Sequence, residues 1–290
     1  MLMNIGPTVS VSNSKKKSIH PIDPPQPQST MSPSSSSSQQ DQIKQSFIKT
    51  LGQETWASNP SWSSITALDP AIMPSIITLL SLPKRNHHLT PKFQSLVSLA
   101  IDASATHLYV PGISQHIRAA KSLGATQTEI FEVLELTSTL GIHACNVGIP
   151  VLVEVLKEEG RYVGKKDGED ERRAELKTLF TQKRGYWHAF WEEILCLDPQ
   201  LFEAYTAFSS VPWERGEGGL SAMEKELIYC AFDAAATHLY VSGLKEHMRN
   251  ALRYGASVEQ IVEVLELAMP LSFHTLNVAA PIVGEVFGTN

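Results

Sequence analysis

Residues 100–155 read AIDASATHLYVPGISQHIRAAKSLGATQTEIFEVLELTSTLGIHACNVGIPVLVEV, and residues 231–286 read AFDAAATHLYVSGLKEHMRNALRYGASVEQIVEVLELAMPLSFHTLNVAAPIVGEV. The similarity extends back over 96–155 and 227–286 without a gap, at a constant offset of 131, with about half the positions identical. Self-similarity of this kind marks a duplicated structural unit. Within each copy the apolar spacing is helical. Ile130, Val133, Leu134, Leu136 and Leu140 recur at three- and four-residue steps, with Glu129, Glu132 and Glu135 between them. Gly124-Ala125-Thr126 has the form of a glycine that ends one helix and a threonine that caps the next. Pro111-Gly112 and Ser242-Gly243 interrupt the pattern before new helices that carry His116 and His247. No alternating strand pattern with hairpin turns is present, so the expected fold is all-α, with two tandem helical modules.

Upstream, Leu68-Asp69-Pro70 echoes Leu197-Asp198-Pro199 at a slightly different offset. The modules are therefore expected at 43–157 and 173–290, joined by a charged linker at 158–172. Residues 1–42 are rich in Ser, Pro and Gln and are expected to be a disordered tail. The tail has Lys15-Lys16-Lys17 but no apolar targeting core and no arginine. The 90–109 and 221–240 stretches are apolar nearly all round and are expected to form long buried helices.

The chain has 290 residues, 42% of them hydrophobic and 19% charged, with a net charge of −6. An acidic chain with no basic face argues against a nucleic-acid partner. No uninterrupted apolar run reaches the roughly 20 residues that span a bilayer, so no membrane association is expected. Three cysteines, Cys145, Cys196 and Cys230, form no C-x-x-C pair and suit a reducing, cytoplasmic setting.

Polar residues inside apolar helices need partners, because an unsatisfied polar group costs several kcal/mol on burial. Asp102, Thr106 and His107 are such residues, and so are Asp233, Thr237 and His238. Asp102 and Thr106, four apart, are expected to share a helix face. Further along come His116 and His247, then His143 with Asn146 and His274 with Asn277. Six of the ten histidines thus fall at three duplicated positions. The bland interpretation is a satisfied polar core network. The functional one is acid–base chemistry, because the histidine pKa lies near neutrality. Three histidines and a carboxylate could also hold a divalent ion, but the spacing matches no ligand motif, and no metal or cofactor is expected. There is no nucleophile elbow, and no cysteine recurs between the copies.

The stretch His116-Ile117-Arg118-Ala119-Ala120, Gly124-Ala125-Thr126, Glu129-Ile130 and Glu132-Val133-Leu134 resembles the carboxymuconolactone decarboxylase and alkylhydroperoxidase-D-like family. The second copy repeats it from His247 and Arg249 through Gly255-Ala256-Ser257 to Glu263-Val264-Leu265. The resemblance implies an all-helical module that assembles into rings such as trimers. The peroxidase branch carries E-x11-C-x2-C-x3-H. Its histidine falls on His116 and His247, but its cysteine positions hold Tyr109 with Gly112 and Tyr240 with Gly243. A thiolate attacks the peroxide in that chemistry, so a cysteine-based peroxidase is disfavoured. The family glutamate has a possible match in Glu226, two residues out of register, where the first copy has Ser95. The decarboxylase branch keeps the histidine and needs no thiol pair. Arg118 and Arg249, two residues from the histidine, face away from it.

The expected activity is non-redox acid–base chemistry, a decarboxylation or related lyase or isomerase step, on a small carboxylated or cyclic molecule. His247 is the expected proton donor or relay, with His238 and His274 shaping the pocket and Glu226 or Asp233 orienting a histidine. His116, His107, His143 and Asp102 would do the same in the first copy. Tyr240, Tyr109, Asn277 and Asn146 are candidate substrate contacts. If one copy alone works, Glu226 favours the second. The rival readings are a histidine-ligated oxygenase or hydrolase and a non-catalytic oligomeric binding protein.

Overall fold

The computed structural model describes residues 33–162, 171–216 and 218–288, all of them in helices and the turns between them. The first half runs α1 (Pro33–Leu51), α2 (Gln53–Ala57), α3 (Ser61–Leu68), α4 (Met73–Leu80), α5 (Leu82–Asn86), α6 (Pro91–Ala103), α7 (Val110–Ser122), α8 (Gln127–Ser138) and α9 (His143–Glu158). The second half runs α10 (Glu171–Arg184), α11 (Phe190–Leu197), α12 (Pro199–Ser210), α13 (Ala222–Ala234), α14 (Val241–Arg253), α15 (Val258–Ala268) and α16 (His274–Phe287). Helices α6 to α9 correspond to α13 to α16.

Local chemistry fixes the helix ends. Thr126 and Ser257 accept from the backbone N–H groups of Glu129 and Gln260, whose side chains reach back to close capping boxes. Gly124 and Gly255 precede them at φ 90° and 93°, where a side chain would be strained. Asp69 and Asp198 adopt the same backbone conformation, with φ −145° in both, which makes the upstream echo a structural one.

Three expectations change. Helix α1 begins at Pro33, so residues 33–42 are helical, and only 1–32 of the expected tail lie outside the described residues. The long helix at 90–109 ends at Ala103, and its counterpart ends at Ala234. Asp102 and Thr106 therefore do not share a helix face. The chain instead turns back, with the Tyr109 N–H donating to the Asp102 carbonyl at 2.9 Å and the Tyr240 N–H to that of Asp233 at 2.9 Å. Leu108 and Leu239 sit at φ 49° in this turn, a left-handed conformation that costs a leucine roughly 1–2 kcal/mol. The new helices start before, not after, Pro111-Gly112 and Ser242-Gly243. The helical runs Gln127–Glu158 and Val258–Phe287 are, by length and composition alone, long and apolar enough to cross a membrane. Each is broken by a 3-10 turn and has proline inside its last helix.

The two modules interlock. Helices α6 and α13, buried along most of their length, lie side by side in a shared core with Leu96, Leu99, Leu227, Ile228 and Phe232. The Oγ1 atoms of Thr106 and Thr237, equivalent residues 131 apart, lie 3.3 Å from each other, which puts a pseudo-two-fold axis between them. Helix α16 packs on α3, and Ala280, Phe273 and Leu276 join the core formed by α1 to α4. Reciprocally, α9 packs on α11, and Cys145 and Ile149 join the core of α10 to α12. Each repeat thus gives its last helix to the other. Two buried glutamates tie the same exchange. Glu263 accepts from the backbone N–H groups of His88 (2.8 Å) and Leu89 (3.3 Å) ahead of α6, and Glu132 accepts from that of Leu220 (2.6 Å) ahead of α13.

Candidate functional site

The turn after α6 turns His107 back toward Asp102, and helix α7 brings His116 to the same carboxylate. The third histidine of this group comes from the other repeat. His107 Nε2 and His274 Nδ1 are 2.8 Å apart, with the rings stacked. Asp102 Oδ1 lies 3.8 Å from His107 Nε2 and 3.7 Å from His274 Nδ1, and Asp102 Oδ2 lies 3.4 Å from His116 Nε2. Tyr109 stacks on His274 at 3.8 Å between ring centroids. The mirror cluster has His143 Nδ1 2.6 Å from His238 Nε2, with Asp233 Oδ1 3.8 and 3.9 Å from them and Tyr240 stacked on His143. The predicted residues do meet, but across the repeats. His274 belongs with Asp102, His107 and His116, and His143 belongs with Asp233, His238 and His247.

Burial dominates the electrostatics. It pushes the His274 pKa down to about 4 against the pull of Asp102, and the His143 pKa down to about 3, aided by His238 and His247. Both rings are neutral at pH 7. The carboxyl of Asp233 is driven up to about 7 by burial, with His247 opposing and Glu226 adding to the rise. A depressed histidine pKa contributes stability that is full above about pH 6.5 and is lost as pH falls toward the folded value. Asp233 acts with the opposite sign, its contribution disappearing as pH rises through about 7. The melting temperature should therefore fall less between pH 6.5 and pH 4 in a His143→Asn/His274→Asn variant than in the wild type, measured by calorimetry on chelator-treated protein.

The two clusters differ in what lies beside them. Next to the first is a cavity of about 470 Å³, within the range of roughly 300–1,000 Å³ typical of small-ligand sites. Asp102, Tyr109, His116, His274 and Asn277 line it, together with Lys84 and the apolar Trp62, Leu80, Ile101 and Leu271. Beside the second only about 20 Å³ remains. Arg184, Tyr186, Tyr205 and Tyr229 fill the space, with the guanidinium of Arg184 donating to the Tyr229 hydroxyl at 3.2 Å. Tyr229 stacks on His247 at 4.2 Å, and His247 Nδ1 is 2.6 Å from Glu226 Oε2. In the first copy Ser95 and Ser98 stand where Glu226 and Tyr229 stand in the second, and these small residues leave the cavity open. The glutamate–histidine pair that distinguishes the second copy is walled in by the protein's own side chains, whereas the open cavity lies beside the first.

Sequence reasoning missed three contributors. Lys84 brings a cation to the cavity wall, its Nζ donating to the Leu51 carbonyl at 2.7 Å and its pKa lowered by burial. Asn59 donates to the Tyr109 hydroxyl at 3.2 Å and accepts from Ser61, which in turn accepts from Asn277 at 2.8 Å. Ser98 was visible, since the offset of 131 pairs it with Tyr229. Lys84 and Asn59 lie outside the gapless repeat and carried no such signal. Asn146, expected as a substrate contact, lies in the tightly filled second site, where its hydrogen bond holds the Tyr240 phenol. Arg118 is exposed, and Arg249 pairs with Glu246, so neither arginine reaches a histidine cluster.

Duplicated helices that bury histidine–carboxylate clusters at a pseudo-two-fold interface define a two-repeat, all-helical class of protein with paired internal sites. The model of the carboxymuconolactone decarboxylase family matches residues 78–144 and again 199–282. A 1.70 Å crystal structure of a "putative gamma-carboxymuconolactone decarboxylase subunit" from Burkholderia xenovorans LB400 is similar at a TM-score of 0.80 and 47% identity. The match covers 86% of this chain and 97% of that one. Among curated proteins no sequence matches. The chain belongs to the carboxymuconolactone decarboxylase family.

Proposed function

We propose that the protein is a non-redox lyase or isomerase that acts by proton transfer on a small carboxylated, cyclic molecule bound in the first cavity. The observation that carries this is the space of about 470 Å³ lined by His116, Asp102 and His274 and also by Lys84. The ammonium of Lys84 supplies the positive charge a carboxylate ligand needs. His116, whose Nε2 lies 3.4 Å from Asp102 Oδ2, is the proton donor or relay. In a decarboxylation, the electrons left by departing carbon dioxide collect on the adjacent carbon, and the His116 imidazolium protonates it. Tyr109, held by Asn59, offers a phenol to a ligand oxygen.

The similarity to a gamma-carboxymuconolactone decarboxylase subunit makes carboxylated lactones the first compounds to try. Carbon dioxide release by the wild type should fall about 10²- to 10⁴-fold in His116→Ala, the usual contribution of a general acid. It should change little in His247→Ala, which lies in the filled site. Equal loss in both variants, or none in His116→Ala, contradicts the assignment.

A homo-oligomer, ring-like as in a trimer, fits the surface. Val147, Val151 and Val155 on α9 and their equivalents Val278, Ile282 and Val286 on α16 form exposed apolar stripes. A Val151→Glu/Ile282→Glu variant should run at a lower mass than the wild type by light scattering. The free thiols agree with a cytoplasmic location. The partners proposed are the small-molecule substrate and further copies of the chain, with no nucleic acid and no membrane.

A further inference from the structure

We propose that each histidine–histidine–aspartate cluster is a binding site for a divalent first-row transition-metal ion, two per chain, the first held by Asp102, His107 and His274 and the second by Asp233, His143 and His238. This goes beyond the acid–base reading and does not depend on it.

Geometry carries the proposal. In the first cluster the three donor atoms are separated by 2.8, 3.7 and 3.8 Å, and in the second by 2.6, 3.8 and 3.9 Å. A point equidistant from three atoms so spaced lies about 2.0 Å from each, in either cluster, which is the bond length zinc makes to imidazole nitrogen and carboxylate oxygen. Two neutral imidazoles and one carboxylate are a donor set that suits zinc, iron, cobalt or nickel, with the remaining coordination left to water or a ligand.

A second observation points to a cation. Asp233 is fully buried, and neither of its side-chain oxygens has a hydrogen-bond partner; Asp102 is 3% exposed, and its Oδ2 has none. A buried carboxylate without a donor is costly, and the nearest imidazole nitrogens stand too far off to satisfy it. An ion at the centre of the triangle reaches all three groups at once. The protein also clears room for these carboxylates. A Cβ on Gly112 would lie 1.8 Å from Asp102 Oδ2, and one on Gly243 would lie 2.5 Å from Asp233 Oδ2. The same arrangement in both repeats, each completed by a histidine of the other, means a metal would clamp the two halves together. Asp102 and His274 also line the open cavity, so the first ion would stand at its edge.

The test is metal stoichiometry and affinity on the full chain. Protein stripped with a chelator is titrated with zinc by calorimetry, and cobalt is added separately to read its visible absorption. The expected result is two ions per chain, with cobalt bands of low-symmetry sites. His107→Ala and His143→Ala should each reduce the count to one, and the double variant to none. His116→Ala should keep two. Asp102→Asn, which preserves shape and an oxygen, should weaken one site at least about tenfold. Circular dichroism checks that each variant is folded. Should a histidine variant fail to fold, Asp102→Asn and Asp233→Asn decide the matter. No zinc binding by folded wild-type protein overturns the proposal, as does binding that these substitutions leave unchanged. Metal binding without turnover of any lactone would leave this site standing while removing the proposed reaction, so the two readings fail separately.

Discussion

Ser98→Tyr is expected to abolish ligand binding in the first cavity while leaving the fold intact. Ser98 lines the cavity and donates only to the Gln94 carbonyl one turn back, at 3.0 Å. Its counterpart, Tyr229, stacks on His247, and about 20 Å³ is left beside that histidine. The pseudo-two-fold relation places a tyrosine at 98 over His116 in the same way. Because the space is already empty, the ring enters without the overpacking cost of a full core. Affinity for a carboxylated ligand should fall about 100-fold or more, equivalent to roughly 2.7 kcal/mol, with a melting temperature close to that of the wild type. Unchanged affinity, measured by calorimetry, would place the ligand elsewhere.

Glu263→Ala should produce the largest loss of stability. The carboxylate is fully buried and accepts from two backbone N–H groups ahead of α6 and from Gln94 Nε2 at 2.7 Å. Truncation leaves a set of buried donors without an acceptor, each costing about 1–3 kcal/mol. The total, roughly 3 kcal/mol or more, is a large share of the 5–15 kcal/mol that holds a typical domain together. Urea denaturation measures it. Glu259→Ala, on the exposed first turn of α15, is the control and should cost little. Glu132→Ala should behave like Glu263→Ala, since Glu132 accepts from Leu220 and lies 3.3 Å from the buried ammonium of Lys225. A small loss in both variants would mean that the ties between repeats carry little of the stability.

These glutamates show how far the sequence could be read. Glu132 and Glu263 recur at one position of the duplicated pattern, and their helical spacing and the capping residues ahead of them were plain. The repeat itself, the helical class and the family followed from such features. What spacing could not tell was which copy each histidine serves. His143 and His274 are equivalent in sequence, and each could complete either cluster. The choice is made by α9 and α16 packing on the far repeat, a tertiary preference that leaves no local mark. The early end of α6 was hidden for a similar reason. Residues 104–109 contain no glycine or proline to stop a helix, and the turn is held by backbone bonds, the N–H groups of His107 and Leu108 donating to the Ser104 carbonyl and that of Tyr109 to the Asp102 carbonyl. The filled second cavity depends on Arg184, Tyr186 and Tyr205, which come from the weakly similar segment before α13.

Gly112→Ala gives a more local check. The new methyl group would collide with Asp102 and with the Tyr109 ring, 2.8 Å away, so the carboxylate must move. Zinc uptake at the first cluster should drop while the second cluster keeps its ion.

The central claim is that one working cavity is assembled from both repeats. Calorimetric titration of the wild type and four alanine variants with a carboxylated lactone tests it most directly. The wild type should take up one ligand per chain. Binding should be lost or strongly weakened in His116→Ala and His274→Ala, which lie in different repeats, and kept in His143→Ala and His247→Ala. If His143→Ala removes binding and His274→Ala does not, the site is formed within one repeat and the account is wrong.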